Sequence, residues 1–260
     1  MPTKLEFSPY LPFYTLLKKE ILRFLSVSVQ TILAPIITAS LYLFIFGLSL
    51  GSRIHLHEDF TYIQFVVPGL ILMGVINNSF ANTSSSIFFA RYIGNIVDLL
   101  VTPLTPSQMI LAFTLAGMIR GLVVGTCVLA ISLFFTPLQW TNPGAALLMV
   151  SLASFLFSQL GIIAAIHSNS FDHLSMYNNF LLLPMIYLGG LFYPISQLPP
   201  FWSHFSKVNP IFYMVDGFRQ SIIGHGDMHL GVDLAVTAGL SAVLFIWAAL
   251  LIHQGKKMRS

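Results

Sequence analysis

The chain has 260 residues, of which 56% are hydrophobic and only 8% are charged, whereas a soluble domain carries about 25% charged residues. The formal net charge of +3 is too small to indicate nucleic-acid binding. Cys127 is the single cysteine, which excludes an internal disulfide and a thiolate metal centre. This composition predicts an all-α, polytopic membrane protein.

The first predicted element is an amphipathic helix over about 10–24. Helices with an apolar face and a basic face lie in the membrane interface rather than across it. We therefore predict an interfacial helix that precedes the first span. The apolar face contains Tyr14, Leu17, Ile21 and Phe24, and the opposite face contains Lys18, Lys19 and Arg23.

The rest of the chain contains six apolar segments long enough to span a bilayer, which takes about 20 residues. Arg120 interrupts one segment but lies inside a continuous apolar pattern, and "TPLQWTNPG" (Thr136 to Gly144) separates the next two. We interpret the chain, 1–260, as one domain. The predicted spans are 27–50, 61–89, 106–135, 144–167, 174–193 and 232–253.

One segment after the fifth span is predicted not to cross. The apolar pieces of about 199–223 are interrupted by Pro210 and are too short to span, so we predict re-entrant or surface helices. Asp216 and Arg219 are spaced i, i+3 there and can pair on one helix face.

Orientation follows the distribution of Lys and Arg between the loops. With both termini in the cytoplasm, eight basic residues lie inside and three lie outside, and Arg120 lies within the membrane. The sequence therefore predicts cytoplasmic N- and C-termini. The inner residues are Lys4, Lys18, Lys19, Arg23, Arg91, Lys256, Lys257 and Arg259; the outer ones are Arg53, Lys207 and Arg219.

The loop between spans two and three contains a short helix between two stops. Apolar residues recur at helical spacing through 91–100, and Thr102-Pro103 ends that pattern. Thr105-Pro106-Ser107-Gln108 then has the pattern of a capping box, with proline at the first helical position of span three. A loop with a short helix and two sharp ends is typical of a mechanical contact with a partner protein.

Five further blocks carry a family resemblance. They are "FIFG", "FVVPGLILMGVI", "VDLLVTPLTPSQMI", "LGGLFYPISQLPPFW" and "NPIFYMVDGFRQSIIG". On these blocks, essentially the whole chain resembles an ABC-2 type permease, the transmembrane subunit of a type V ABC exporter. It is most similar to the short branch found in the inner membrane of Gram-negative bacteria.

The resemblance implies an ATP-driven exporter that moves a lipidic, polysaccharide or drug-like substrate outward across the inner membrane. The segment 91–100 is then the coupling helix that contacts the ATPase, although Asp98 stands where many members have Glu.

No G-x-x-x-x-G-K-[ST] motif occurs in the chain, so ATP and Mg²⁺ are expected on a separate subunit, with no cofactor and no catalysis here. Six spans would form half of a transmembrane pathway. The resemblance therefore implies a homodimer of this chain that binds two ATPase subunits and contacts membrane lipids. The expected coupling residues are Arg91, Ile93, Val97, Asp98, Leu99 and Leu100.

Polar residues in span two and Arg120 in span three are candidates for the translocation path. The stripe "NNSFANTSSS" (Asn77 to Ser86) has two open interpretations, helix packing and a polar lining of the path. Arg120 likewise either packs span three on span two or recognises a polar or anionic cargo. The path candidates are Asn77, Asn78, Asn82 and Arg120.

The outer end of span five combines helix-breaking and aromatic residues. An interfacial aromatic belt explains the aromatic residues, and a flexible outer gate is the functional alternative. The gate candidates are Gly189, Gly190, Phe192, Tyr193, Asp216 and Arg219.

Three rival interpretations have weaker sequence support. "HSNSFDH" (His167 to His173) contains the His-x4-Asp pattern of some membrane acyltransferases, but no second block accompanies it. Histidine and carboxylate residues at 55–59 and 225–229 are treated as loop residues rather than metal ligands. A secondary transporter or channel without an ATPase is the alternative function, and no mid-span acidic residue supports ion coupling.

Overall fold

A computed structural model describes residues 10–50 and 60–254, apart from the side chains at 48–50, 100 and 254. This part of the chain is helical and contains no strand. The helices are α1 Leu11–Ser26, α2 Ser28–Tyr42, α3 Tyr62–Tyr92, α4 Ile96–Leu100, α5 Pro106–Ser132, α6 Pro143–His167, α7 Phe171–Met176, α8 Leu183–Leu188, α9 Pro200–Val208, α10 Pro210–Ile223 and α11 Leu230–Gln254. The π-helical pieces Leu43–Leu50 and Tyr177–Leu182 continue α2 and join α7 to α8, and a short 3₁₀ turn covers Ile195–Gln197.

Capping residues fix the starts of the long helices. The predicted capping box of α5 is confirmed, because the Gln108 N–H donates to Thr105 Oγ1 (3.3 Å) and the Thr105 N–H donates to Gln108 Oε1 (3.0 Å). The same box, not predicted, begins α3 with Thr61 and Gln64. Both helices are therefore anchored by side chains at their first turn.

Within the described residues, five helices are long and apolar enough to cross a membrane: Ser28–Gly47, Tyr62–Tyr92, Pro106–Ser132, Pro143–His167 and Leu230–His253. They correspond to five of the six predicted spans.

The predicted span 174–193 is not among these five. It forms α7, a π-helical piece and α8, and the helix ends at Leu188 rather than at 193. Pro184 has no N–H to donate, and Gly190 follows with a φ of 77°, so the regular helix is interrupted in the middle and stopped early. The sixth crossing remains a prediction.

Helix α3 forms the centre of the bundle and packs closely on α5 and α6. Ser79 Oγ lies 2.7 Å from Ser154 Oγ, and Thr83 Oγ1 donates to the Ser158 carbonyl at 2.7 Å. A Cβ at Gly121 would meet the Ser79 and Ser154 hydroxyl oxygens, so glycine permits this approach. Small and hydroxyl residues are typical of helix contacts in membranes.

The bundle has two ends. Helices α1 and α4, the N-termini of α5 and α7 and the C-terminus of α6 lie at one end, which we call the α4 end. Helices α9 and α10 lie at the other, the α10 end, where the backbone N–H of Asn142, before α6, donates to the Ser221 carbonyl of α10 (2.8 Å). The segment predicted as re-entrant is thus two short helices, which meet at Asn209 and Pro210.

Candidate functional site

The polar side chains of α3 face three different neighbours. Two hydroxyl residues pack on α6, two polar residues face α1, and the remainder line a groove beside α2. The helix-packing interpretation thus applies to one part of the polar stripe, another part lines a groove, and the role of that groove as a translocation path remains a prediction. The sets are Ser79 and Thr83 towards α6, Asn82 and Ser86 towards α1, and Asn77, Asn78, Ser84 and Ser85 towards the groove.

Helix α1 is attached to α3 by a buried charged network. Glu20 is 1% exposed and accepts from Arg23 Nε (2.9 Å) and from Ser86 Oγ (2.6 Å). The Arg23 Nη2 donates to the carbonyl oxygen (2.9 Å) and to the side-chain Oδ1 (3.0 Å) of Asn82. Charge-assisted hydrogen bonds of this kind stabilise buried charges that would otherwise be unfavourable.

This network corrects the predicted face of α1. The buried stripe contains Leu16, Glu20 and Phe24, so the charged residue Glu20 faces the bundle together with apolar ones. Arg23, assigned to the outward basic face, points towards α3. The prediction treated every charged residue as solvated and did not anticipate partners on another helix.

The groove has a volume of about 810 Å³ and lies between α2, α3, α5 and the π-helical piece after α7. Arg120 lines it and donates from Nη2 to Asn78 Oδ1 at 3.3 Å. Of the three amides predicted as partners, only Asn78 bonds to Arg120, because Asn82 bonds to Arg23 and the Asn77 amide donates within its own helix. Asn77, Asn78 and Arg120 line the same groove, whereas Asn82, the fourth path candidate, does not, and their role in a translocation path remains a prediction.

The predicted coupling helix is shorter than expected. The range 91–100 contains the last turn of α3 with Arg91, a break at Gly94 with a φ of 80°, and then α4 from Ile96. A left-handed residue cannot continue an α-helix, so Gly94 separates the two pieces. The predicted continuous helix 91–100 is therefore wrong in its first half.

Helix α4 presents a mixed apolar and acidic surface. Ile93 and Val97 are 64% and 52% exposed, and Asp98 is exposed beside them. Leu99 is half-buried and packs on the hydrophobic core at this end, and the side chain of Leu100 lies outside the described residues. One face of α4 is thus anchored and the other is available for contact.

Arg91 connects the end of α3 to the end of α6. Its Nη1 donates to the carbonyl oxygens of Ala165 (2.8 Å), Ile166 (2.9 Å) and Ser168 (3.3 Å). The last carbonyls of a helix have no partner within the helix, so the guanidinium supplies their missing donors. Arg91 therefore positions the segment before α4 against α6.

An aromatic cluster connects the same end of α3 to α7. The Phe171 ring centroid lies 4.6 Å from that of Phe88, 5.1 Å from Phe89 and 5.4 Å from Tyr92. The edge-to-face arrangements are the favourable ones for aromatic pairs. The start of α7, which leads directly into one wall of the groove, is thereby packed on α3.

At the α10 end, Arg219 is buried and holds the chain that follows α8. It donates to the carbonyl oxygens of Gly190 (2.6 Å) and Phe65 (3.2 Å), and its guanidinium carbon lies 3.7 Å from the Phe65 ring centroid. Burial lowers the pKa of Arg219 to about 10, so the side chain remains cationic at neutral pH. The turn at Gly189 and Gly190 is therefore tied to α10 and α3.

Asp216 does not form the predicted ion pair with Arg219 in the described structure. Its oxygens accept from the backbone N–H groups of Asp227 and Met228, each at 2.8 Å. Burial raises the pKa of Asp216, and these two donors and the Arg219 charge oppose the rise. The carboxylate instead orders the loop between α10 and α11.

The aromatic gate candidates pack against the π-helical piece that follows α2 and against the first turn of α3. The ring of Phe192 stacks on Phe46 with centroids 4.9 Å apart, and Tyr62 donates to the Phe192 carbonyl at 2.9 Å. Tyr193 donates to the Tyr187 carbonyl at 3.0 Å. The gate candidates thus lie at one end of the bundle, and their role as a gate remains a prediction.

The rival histidine sites have little geometric support. His167 Nδ1 bonds to the Ile163 carbonyl within α6 (2.9 Å), and Asp172 is exposed on α7 with no hydrogen bond to His167 in the described chain. Among residues 10–50 and 60–254, no three His, Cys, Asp or Glu side chains are placed to hold a metal ion. The cluster at 55–59 lies outside the described residues.

Comparison with known proteins gives the family. A profile of the ABC-2 type transporter family matches residues 12–223, which run from α1 to the end of α10. The chain belongs to this family. It is accordingly an ABC transporter permease, a class of protein that is not itself an enzyme and normally pairs with an ATPase subunit.

Relatives of this permease match it over most of their length. It is 42% identical over 242 residues to the inner membrane transport permease YadH of Escherichia coli (strain K12), covering 93% of this chain and 94% of the relative. It is 22% identical over 241 residues to nodulation protein J of Rhizobium meliloti (strain 1021), covering 91% of each. These matches and the apolar helices support a multi-pass protein of the inner membrane.

Sequence reasoning missed Glu20 and Phe171, which organise the permease, and it assigned Arg91 to the ATPase contact rather than to the end of α6. Glu20 carried a signal, because it lies at i, i+4 spacing between Leu16 and Phe24 in the buried stripe of α1. Arg91 and Phe171 gave no comparable signal, since their partners are the end of α6 and the end of α3. Such contacts between chain-distant helices have no local pattern.

Proposed function

We propose that this permease is the membrane subunit of an ATP-driven exporter, and that two copies assemble with two ATPase subunits. The observation that carries the proposal is the polar groove beside α2. A second cavity of about 230 Å³ shares Ala34, Pro35, Asn77 and Asn78 with it and extends as far as Tyr42. The two cavities together run along the bundle from Arg23 towards the α10 end, as half of a transport path would.

We infer that the segment from α7 to α8 is a sixth membrane crossing, in addition to the five long apolar helices. The segment from α7 to α8 starts against Phe88 at the α4 end and ends at Gly189, whose added Cβ would lie 2.9 Å from Ile211 of α10. Its three six-residue pieces span about 27 Å at 1.5 Å per residue, close to the ~30 Å of a hydrocarbon core. Both termini are then on one side, and the Lys and Arg bias puts the α4 end in the cytoplasm.

In this topology, α4 is the ATPase contact and the cargo moves outward. The exposed residues Ile93, Val97 and Asp98 supply the contact surface, and Arg91 transmits its movement to α6. ATP and Mg²⁺ bind on the partner, and this chain carries no cofactor. Cargo of lipidic, polysaccharide or drug-like chemistry fits a groove with both polar and apolar walls.

The test is the substitution Asp98→Lys, with Asp172→Lys as a control of equal charge change at the start of α7. The permease is purified together with its partner ATPase subunit, and vanadate-sensitive ATP hydrolysis of the complex is measured. Asp98→Lys should insert normally but lose most of the permease-dependent hydrolysis, because the exposed contact is reversed in charge, whereas Asp172→Lys should retain it. Normal activity of Asp98→Lys would remove α4 from the coupling role.

Transport without an ATPase is the second candidate, and one observation favours it. Asp233 of α11 is fully buried, and both of its carboxyl oxygens lack a partner among the described residues. A buried carboxyl is a possible proton site, but Asp233 lies in the first turn of α11 rather than in the middle of the bundle. Ion-driven transport by the reconstituted permease alone would support this candidate.

A further inference from the structure

The groove contains two cations and no acidic side chain among its described lining residues. Arg23 and Arg120 both line it. Glu20 lies on the far side of Arg23, where it accepts from Nε and from Ser86, so it offsets one of the two positive charges. The remaining walls supply neutral polar groups, from Gln30, Thr31, Asn77, Asn78, Ser84, Ser85, Ser175 and Asn178.

Arg120 has far fewer partners than its chemistry requires. A guanidinium has five N–H donors and stays charged, yet Arg120 makes one long hydrogen bond, to Asn78, and its Nε is buried without a partner in the described chain. An Arg at the centre of a membrane helix is unfavourable unless it faces polar groups or water. A side chain that served only to pack α5 on α3 would be expected to satisfy more donors, so Arg120 is available for a group from outside the chain.

Arg23 lines the same groove as Arg120 and has one donor group, Nη1, that is available for a ligand. Its Nε and Nη2 bond to Glu20 and Asn82, whereas Nη1 has no hydrogen-bond partner in residues 10–50 and 60–254. Asn78 and Asn82 are one helical turn apart on α3, so the two guanidinium groups they contact follow each other along one face. The two positive charges repel each other, and an anion bound between them would reduce this repulsion.

An apolar surface continues from this charged region. A shallow depression of about 440 Å³ shares Val27, Gln30 and Ala34 with the groove and extends along Val29, Leu33 and Ile37 of α2. Val29 is 76% exposed, and Leu33 and Ile37 are each 50% exposed. A charged headgroup in the groove would thus have its hydrocarbon chain along α2.

We propose that the groove binds the phosphate-type oxyanion of an amphiphilic molecule, with Arg120 and Arg23 as its cationic donors and the α2 face as the surface for its chain. Guanidinium groups recognise phosphate by paired, charge-assisted hydrogen bonds. This inference deepens the proposed exporter by naming the chemistry of its cargo, and it rests on the groove being the transport path. In the proposed topology the site lies in the inner half of the bilayer, within reach of headgroups of the inner leaflet.

The test measures lipid binding to the full-length permease without the ATPase. A loss of lipid binding can therefore be distinguished from a loss of ATPase coupling. The detergent-purified chain is mixed with equal amounts of phosphatidylglycerol and diacylglycerol, which has the same chains but no phosphate, and bound lipid is counted by native mass spectrometry. The variants are Arg120→Gln and Arg23→Gln. The control is Lys19→Gln, which removes the same charge from an exposed position of α1 that does not line the groove.

We expect Arg120→Gln to reduce the preference for phosphatidylglycerol at least about tenfold, because the loss of charged hydrogen bonds in a buried site has that magnitude. Lys19→Gln should change the preference less than about twofold. Equal effects of Arg120→Gln and Lys19→Gln would mean general surface attraction and would overturn the proposal. If Arg120→Gln does not fold, Asn77→Asp tests the same site, because it adds a negative charge to the lining and should also reduce binding.

A second arm distinguishes a lipid headgroup from free phosphate. Inorganic phosphate at about 10 mM is added to the wild-type chain as a competitor. The amphiphile proposal expects little displacement of phosphatidylglycerol, since the contact along α2 is absent from the free ion. Full displacement by inorganic phosphate would show a site for the free anion and would overturn the assignment of an amphiphile.

Discussion

Gly161 sets the distance between α3 and α6 at the centre of the bundle. A Cβ at this position would meet Thr83 Oγ1, the Phe80 carbonyl oxygen and the Ser84 backbone nitrogen. Two of these three atoms belong to the backbone of α3 and cannot rotate away. Because lipid provides no hydrophobic force between helices, such close contacts are what hold α3 and α6 together.

We predict that Gly161→Ala destabilises the fold by about 1–3 kcal/mol, the usual cost of overpacking a tight contact. Thermal unfolding of the purified permease in detergent measures the change. Gly239→Ala in α11 is the matched control, because a Cβ there has no neighbour within 4 Å. It should be neutral or stabilising by up to about 1 kcal/mol, as alanine is the better helix former. Equal melting temperatures for the two variants would contradict the assigned contact.

Two independent contacts join the last turn of α3 to other elements. Arg91 bonds to the end of α6, and Phe88 packs on Phe171 at the start of α7. Since α7 leads into the groove wall at Leu174 and Ser175, a short series of packed side chains connects the last turn of α3 to the groove. The α4 end is therefore built as one mechanical unit.

We predict that Arg91→Ala releases this unit locally without unfolding the bundle. The carbonyls of Ala165, Ile166 and Ser168 lose their donor, so backbone amides at 93–100 and 165–168 should exchange hydrogen faster. Hydrogen–deuterium exchange of the reconstituted permease measures the effect. Asp98→Lys changes an exposed side chain and should leave both segments at wild-type rates, so faster exchange in both variants would argue against a specific role for Arg91.

Helices α9 and α10 differ in how they are held. Helix α10 is buried against α3, α6 and α11, whereas α9 is mostly exposed, with Val208 at 82%. Gly217 of α10 is unsuitable for a labelled cysteine, because a Cβ there would meet the Met149 methyl group and the Asp233 Cβ. Accessibility is therefore best probed on α9.

In a Cys127→Ser background, we predict that Val208→Cys reacts with an impermeant thiol reagent added outside intact cells. Val101→Cys is the control, because Val101 is 78% exposed at the α4 end and should react only after the membrane is permeabilised. Labelling of intact cells would measure both. The reverse pattern would place the α4 end outside and invert the proposed orientation.

At the scale of the whole molecule, five spans could be predicted from the sequence, because a long and mostly apolar segment is stable in a bilayer only as a helix that crosses it. The segment from α7 to α8 could not be bounded so well, since Pro184 and Gly190 shorten its helix. The groove candidates Asn78 and Arg120 were found because polar groups are rare in apolar helices. The inward position of Glu20 was missed, because its partner Ser86 belongs to α3, 66 residues away in the chain.

The number of crossings is the remaining property of the whole molecule, and α7 to α8 decides it. We predict that alkaline phosphatase, active only outside the cytoplasm, is inactive when fused after Asn169, because four spans precede that point. The same enzyme fused after Leu198 should be active, because α7 and α8 then form a fifth crossing. A fluorescent protein that folds only in the cytoplasm should give the opposite pattern at the two positions. If α7 to α8 instead returns to the α4 side, phosphatase will be inactive in both fusions, and the permease will have five crossings with its termini on opposite sides.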